Sequence, residues 1–350
     1  MITLSAKATS ALTRSYRPSL SVSSWLGGEL LAEDVPVQDA SEEGDRSGRV
    51  PERITLSVPR RDRGVDWSPG EDAEHPLAAS GQRLRVTLAV EGEYFARGWF
   101  LVTRSAPQDD VIDVECQGLL RLVDEARLVT PYQPAGTMTS TLRGLVEPAL
   151  SIIVDSALVD RAVPTGINMD EDRLGAVLEL LDAWSADAYV TPDGYLSVLP
   201  ATRSLTPVLT LSSSTGTVVT AVGTSTREGA YNAVVARGTA SDGGQVQGVA
   251  YDTSATGPKR YGGPFNPLPV PFFFPSPLLT TVAECNAAAL TVLARLQRRA
   301  GRELLVTLVP DPRIQLGDVI SVDGTICSVE GLTLPYLPGE AMTLRVTVLA

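Results

Sequence analysis

The chain has 350 residues, 43% of them hydrophobic, and a formal net charge of −12. That length allows two or three domains around a sizeable core, and the acidic balance argues against a face built to grip nucleic acid, which needs a basic stripe to displace counterions. No run nears the roughly 20 continuous apolar residues of a membrane helix, and the first ten residues lack the apolar stretch of a secretory signal, so a soluble product made in a cytoplasm is expected.

The first segment, to about residue 128, reads as β-rich. Arg53–Val58 alternates and stops at Pro59. Arg83–Val90 and Tyr94–Thr103 flank Glu91-Gly92-Glu93 and form a hairpin. Val111–Cys116 alternates again, with Ile112, Val114 and Cys116 on one face. Strands separated by turn residues suggest a barrel or sandwich. Two acidic stretches, Glu33–Asp45 and Asp62–Glu74, read as solvated loops, the alternative being contact with a neighbouring ring or the lining of a lumen.

From residue 130 to 204 the pattern becomes mixed. Thr139–Glu147 predicts a short helix ending near Pro148. Asp170–Ala186 predicts a stronger one, with Leu174, Val177, Leu178, Leu181 and Trp184 at helical spacing and Asn168 or Asp170 as its cap. Thr191-Pro-Asp-Gly194 has the residues of a type I turn inside the hairpin Ala188–Val198.

The stretch 205–350 returns to β structure. Tyr231–Gly238 and Gln245–Tyr251 flank Ser241–Gly244 as a hairpin. The proline- and aromatic-rich segment Tyr261–Pro277 follows, and its prolines exclude it from a regular element. Next comes a long helix over about 281–300. Thr281-Val-Ala-Glu284 is a capping box, Arg295, Arg298 and Arg299 suit its C-terminal dipole, and Gly301 closes it. Strands are expected over Glu303–Val309, Asp318–Val322, Thr325–Val329 and Met342–Leu349, with Asp323-Gly324 as a tight turn.

Residues able to do chemistry are sparse. Cys116, Cys285 and Cys327 are scattered, and with a single histidine, His75, they make no zinc site of the usual type; buried free thiols are expected. A Ser-His-Asp or Cys-His site would have to use His75, which sits in an acidic stretch. The carboxylate pairs Asp170/Asp172 and Asp109/Asp110 could serve a glycosidase, but the first is better used at a helix start. No phosphate-binding glycine fingerprint occurs. Trp25, Trp67 and Trp99 are the candidates for stacking on a carbohydrate, although Trp99 alternates within a strand as a core residue does. Phe272-Phe273-Phe274 holds three of the six phenylalanines. Three adjacent rings in a proline-rich loop cannot all enter one small core, so either a buried core or a neighbouring subunit covers them.

Several pieces together resemble the tail-hub (baseplate-hub-like) minor tail proteins of siphophages that infect actinobacteria. They are Tyr231-Asn-Ala-Val-Val235, Gly248-Val-Ala-Tyr-Asp252, Tyr261-Gly-Gly-Pro264, Ser276-Pro-Leu278, the alanine-rich helix from Thr281, and Pro310-Asp-Pro312 leading to Leu316–Ile320. The resemblance covers about 130–330 and is weak before it. It implies a mainly β fold in which two tube-type β-barrel domains, 1–129 and 205–350, flank a small α+β insert, 130–204. It further implies a structural virion protein without enzymatic activity, cofactor or metal. Such a protein forms a homotrimeric ring that joins tail tube to tail tip and lets DNA pass. Its partners would be a distal tail protein, the tape-measure protein and other tail-tip proteins. Tyr261, Phe265, Phe272, Phe273 and Phe274 are the expected subunit-contact residues. Only two lysines, Lys7 and Lys259, stand among 29 basic residues, a skew that fits a GC-rich actinobacterial source. Two other readings stay open: a tail-tip cell-wall hydrolase, for which a fused domain lacks room, and a receptor- or carbohydrate-binding tail module.

Overall fold

A computed structural model describes residues 4–12, 18–202, 204–224, 227, 229–255, 257, 259–300, 303–336 and 339–349. The first part contains α1 (Ala6–Leu12), β1 (Ser19–Leu26), β2 (Glu29–Ala32), β3 (Asp39–Asp45), β4 (Glu52–Pro59), the short ladder β5 (Arg61–Asp62) and β6 (Val65–Asp66), β7 (Arg83–Val90), β8 (Glu93–Gln108) and β9 (Val111–Gly118). The middle part has α2 (Leu120–Glu125), α3 (Met138–Val146), β10 (Ile152–Val154), α4 (Arg173–Trp184), β11 (Ala186–Val190) and β12 (Leu196–Pro200). The last part has β13 (Leu209–Leu211), β14 (Val218–Thr224), β15 (Ala233–Thr239), β16 (Gln245–Tyr251), β17 (Pro271–Pro275), α5 (Val282–Ala300), β18 (Glu303–Leu308), β19 (Val319–Val322), β20 (Thr325–Pro335) and β21 (Met342–Val348). The fold is mainly β, as expected.

Local chemistry accounts for the hairpins. β7 alternates between buried and half-buried positions, and Glu91 and Gly92 carry it into β8 with φ of 52° and 80°, the paired left-handed geometry that matches strand twist. Asp323 and Gly324 do the same between β19 and β20, with φ of 46° and 84°.

The first and last parts share one sheet. Its strand order is β14-β18-β21-β20-β3-β4-β9-β8-β7-β1-β2, with β13 attached through β19. The two parts join where β20 runs antiparallel to β3, from Gly331 opposite Asp45 to Pro335 opposite Ser41. One apolar core follows this sheet across the junction, from Ile54, Leu84 and Val114 to Val306, Val329 and Leu344. The acidic stretch Glu33–Asp45 was expected to be a loop. Its second half is instead strand β3, held by β4 on one side and β20 on the other.

The stretch 205–350 divides between two cores. β14 and β18 to β21 belong to the large sheet, whereas β15, β16 and β17 make a separate three-stranded sheet. This small sheet and α5 pack with the middle part. Cys285, Ala288, Ala289 and Val292 of α5 share a buried cluster with Leu142, Leu180 and Val198. α5 lies so close to β16 that a Cβ on Gly248 would stand 2.4 Å from the backbone nitrogen of Asn286, so only hydrogen fits there. The capping box at Thr281 is present: Glu284 N–H donates to Thr281 Oγ1 at 3.2 Å and Thr281 N–H to Glu284 Oε2 at 3.0 Å. Gly301 lies outside the described residues.

Two details of α4 differ from expectation. Its cap is Asp172, whose carboxylate accepts from Gly175 N–H at 3.1 Å, because the helix starts at Arg173. Leu178 is exposed, and Leu180 is the fully buried residue, since α4 packs against both α3 and α5 and its buried stripe widens.

Candidate subunit-contact surface

The segment Tyr261–Pro277 contains a strand, contrary to the expectation that its prolines exclude one. β17 runs parallel to β15, with Phe272, Phe273 and Phe274 beside Val234, Val235 and Ala236. The reason lies in the register. Ser276 N–H donates to Arg237 O and Asn232 N–H to Val270 O, so even-numbered peptide groups face β15 and odd-numbered ones face away. Pro271 and Pro275 fall on the outward register, where the missing N–H breaks no ladder bond. Of the outward positions of β17, only Phe273 keeps an N–H. The edge is therefore closed to a further strand while its side chains remain available.

Side chains alternate accordingly. Phe272 and Phe274 are half-buried against the core made by α5 and the middle part, and Phe272 meets Tyr231 edge to face at 5.3 Å. Phe273 points the other way, is 50% exposed and lies under the Arg237 guanidinium at 4.8 Å. Two further rings are exposed on the far strand of this sheet and the loop after it: Tyr261 stacks on Tyr251 at 4.5 Å. Phe265 is half-buried with Arg227 over its ring at 4.5 Å. The outer face of the small sheet thus carries Phe273 with Arg237 over it, and Tyr251 with Tyr261 stacked on it, an aromatic and arginine composition typical of interface centres. The segment is pinned at both ends. Asn232 Oδ1 accepts from Val270 N–H at 2.7 Å, and Ser276 Oγ donates to Glu179 of α4 at 2.7 Å. The period of two across Phe272–Phe274 was the signal for this split; the prolines masked it.

The other candidates sit apart. His75 Nδ1 accepts from Leu77 N–H at 3.1 Å, and burial lowers its pKa against the opposing pull of Asp72 and Asp66. Asp172 is held by Arg49 at 2.6 and 2.9 Å and by Arg127 at 3.0 Å, and the Arg49 hydrogen bonds bring its pKa down to about 2. Asp109 occupies a turn with φ of 37°. All three cysteines are buried and unbridged, and burial pushes the Cys116 thiol far above its ordinary value. Among the described residues no cluster of His, Cys, Asp or Glu has the geometry of a metal site, and no described helix is long and apolar enough to cross a membrane. Trp25 and Trp99 meet edge to face at 5.8 Å, Arg85 lies 5.6 Å from the Trp99 ring, and Trp67 is half-buried against the large core.

No family model matches the chain, and no curated protein is similar to it in sequence. Solved structures do match. A tail protein from Neisseria meningitidis MC58 superposes with a TM-score of 0.64 at 14% identity, covering 94% of this chain and 96% of that one. The 43 kDa tail protein of prophage MuSo2 from Shewanella oneidensis gives 0.59 at 11% identity, with 94% and 98% covered. The E. coli c3393 protein, a type VI secretion component described as structurally similar to T4 bacteriophage tail proteins gp27 and gp5, gives 0.53 at 11% identity, with 95% and 77% covered. At these identities the likeness is one of fold, and it extends over nearly the whole of this chain.

Proposed function

We propose that the chain is a structural tail hub of a bacteriophage, of the siphophage type from an actinobacterial host. Three copies form a ring that joins the tail tube to the tail tip and leaves a passage for DNA. The observation that carries this reading is the continuous sheet through β20 and β3, which ties the first and last parts of one chain side by side, in a fold shared end to end with two tail proteins. Two β units fixed in one subunit would let a three-fold ring present six similar positions to a six-fold tube. The net charge of −12 suits a wall that DNA slides past without adhering. On this reading the surface around Phe273, Tyr261 and Tyr251, with Phe265 beside it, is covered by a neighbouring copy through side chains and not by strand addition. The distal tail protein, the tape-measure protein and other tail-tip proteins are the remaining partners, and the residues are used for assembly and not for catalysis.

Mass photometry of the purified chain tests the ring. The expected particle has three times the 37.1 kDa of one chain. A strictly monomeric protein that is also absent from purified tails in cryo-EM would sink the proposal.

A further inference from the structure

A cavity of about 250 Å³ separates the large sheet from the hairpin β11–β12, with Glu52, Trp99 and Gly118 in the sheet wall and Tyr189, Thr191 and Leu199 in the hairpin wall. Glu52 is the one residue in this wall whose carboxyl is enclosed with an oxygen left unpaired: its Oε2 has no hydrogen-bond partner. That oxygen lies over Gly118, where a Cβ would stand only 2.6 Å away. The charged groups around it are otherwise engaged: in the hollow that Glu52 shares with Glu43, Asp45, Arg53 and Arg345, Arg53 pairs with Glu43 and Arg345 with Asp45. Arg97 gives its guanidinium to Glu42 and to the carbonyls of Pro312 and Ile314. Glu42 adds a negative charge nearby. Asp318 accepts from Gln315 N–H at 2.9 Å. Tyr189 is the titratable group on the hairpin side and brings no cation.

An enclosed carboxyl without a counter-charge is tolerated as the neutral acid and opposed as the anion. Burial, with Glu42 adding to it, raises the Glu52 pKa to about 7, which puts its change of charge near neutrality. The hairpin is anchored away from the cavity by Ala186, Leu196 and Val198 in the middle core, and its turn meets the sheet where Gly194 lies against Trp99 and Leu119. Its charged tie to the sheet is the pair Arg46–Asp187 at 2.6 Å, and the cavity already interrupts packing between the two. We propose that Glu52 is a proton-operated latch: as the neutral acid it lets the hairpin β11–β12 lie closed on the large sheet, and loss of its proton draws water into the cavity and loosens the hairpin.

Hydrogen exchange of the full chain, followed by mass spectrometry and corrected for intrinsic rates, tests this over about pH 5 to about pH 9. In the unsubstituted chain, protection of peptides spanning 186–200 should fall at least about tenfold between about pH 5 and about pH 7 and level off above that, while peptides from β7 hold steady. In Glu52→Gln, and in the uncharged Glu52→Met of similar length, protection should be flat across the range. A flat profile in the unsubstituted chain overturns the latch, with or without folded variants. So does a slope that persists in either variant.

Discussion

Arg97 and Glu42 form a buried two-point ion pair, Nη2 to Oε1 at 2.6 Å and Nε to Oε2 at 2.9 Å, although their strands β8 and β3 are separated by β4 and β9 in the sheet. Contact over that separation requires the sheet to curl. A bulge aims Arg97: Ala96 opposes Thr87 and Gly98 opposes Val86, which leaves Arg97 as the extra residue. Arg97 also donates to Pro312 O at 2.5 Å, and the Tyr336 hydroxyl donates to Glu42. The network therefore clasps the first part of the chain to the last.

Removing one member should be costly. Arg97→Met leaves Glu42 enclosed without its cation and is expected to lower stability by about 3–5 kcal/mol. Replacing both, as Arg97→Met with Glu42→Leu, should cost less than Arg97→Met alone, because no charge is left stranded. Urea unfolding of the two variants checks the order.

The stability of the chain should depend on pH through Glu52. Its pKa is about 7 in the fold against an ordinary 4.5, so the unfolded chain releases this proton first. The contribution is fully present below about pH 4.5, is lost progressively up to about pH 7, and changes no further above that. Subtracting the Glu52→Gln urea profile from that of the unsubstituted chain isolates the effect. Asp172 acts with the opposite sign. Its contribution is present above about pH 4 and falls away toward about pH 2, and its exposure to solvent screens the magnitude.

Gly248→Ala should separate α5 from β16. The added methyl meets the backbone of Asn286, which cannot rotate aside as a side chain would. The expected loss is about 1–3 kcal/mol, read as a lower thermal midpoint, with the large sheet retaining its exchange protection.

Phe273→Glu discriminates interface from core. The side chain is half exposed and its truncation opens no cavity, so monomer stability should shift by less than about 0.5 kcal/mol. The trimeric mass should be lost. Phe272→Ala should do the reverse, lowering stability by about 3 kcal/mol through lost packing against the α5 core.

Restoring the outward N–H groups of β17 should open its edge. Pro271→Val with Pro275→Val leaves the strand paired to β15 and gives it donors on the free side. Concentration-dependent association by light scattering is the expected result.

Elements were legible where the chain's own pattern matched its burial. The alternation of β7, β8 and β9 and the reciprocal cap of α5 needed no distant partner to be recognised. β3 was not legible, because Asp39-Ala-Ser-Glu-Glu-Gly-Asp45 carries almost no apolar signal. It is a strand through its neighbours, and Glu42 is buried because Arg97 comes to meet it from β8. β17 was hidden for another reason: proline excludes a strand on average, yet is harmless on an outward register that only the pairing with β15 defines. The contact candidates stand close together in the sequence. Their division into inward Phe272 and Phe274 and outward Phe273 followed from that same pairing.

The junction between β3 and β20 has a temporal side. Tyr336 and Glu42, bonded in the finished fold, are 294 residues apart, so β3 leaves the ribosome long before the strand that will cover it exists. Contacts of such separation form slowly, and an edge that waits is an edge that pairs with strangers. Glu42 is held by Arg97, made well before Thr325, but the carboxylates Asp39, Glu43 and Asp45 give that edge a repulsive charge during the wait. The acidity that makes β3 look like a loop thus acts as its escort during synthesis. Nascent chains halted before Thr325 should stay soluble, and should aggregate once these carboxylates are made amides.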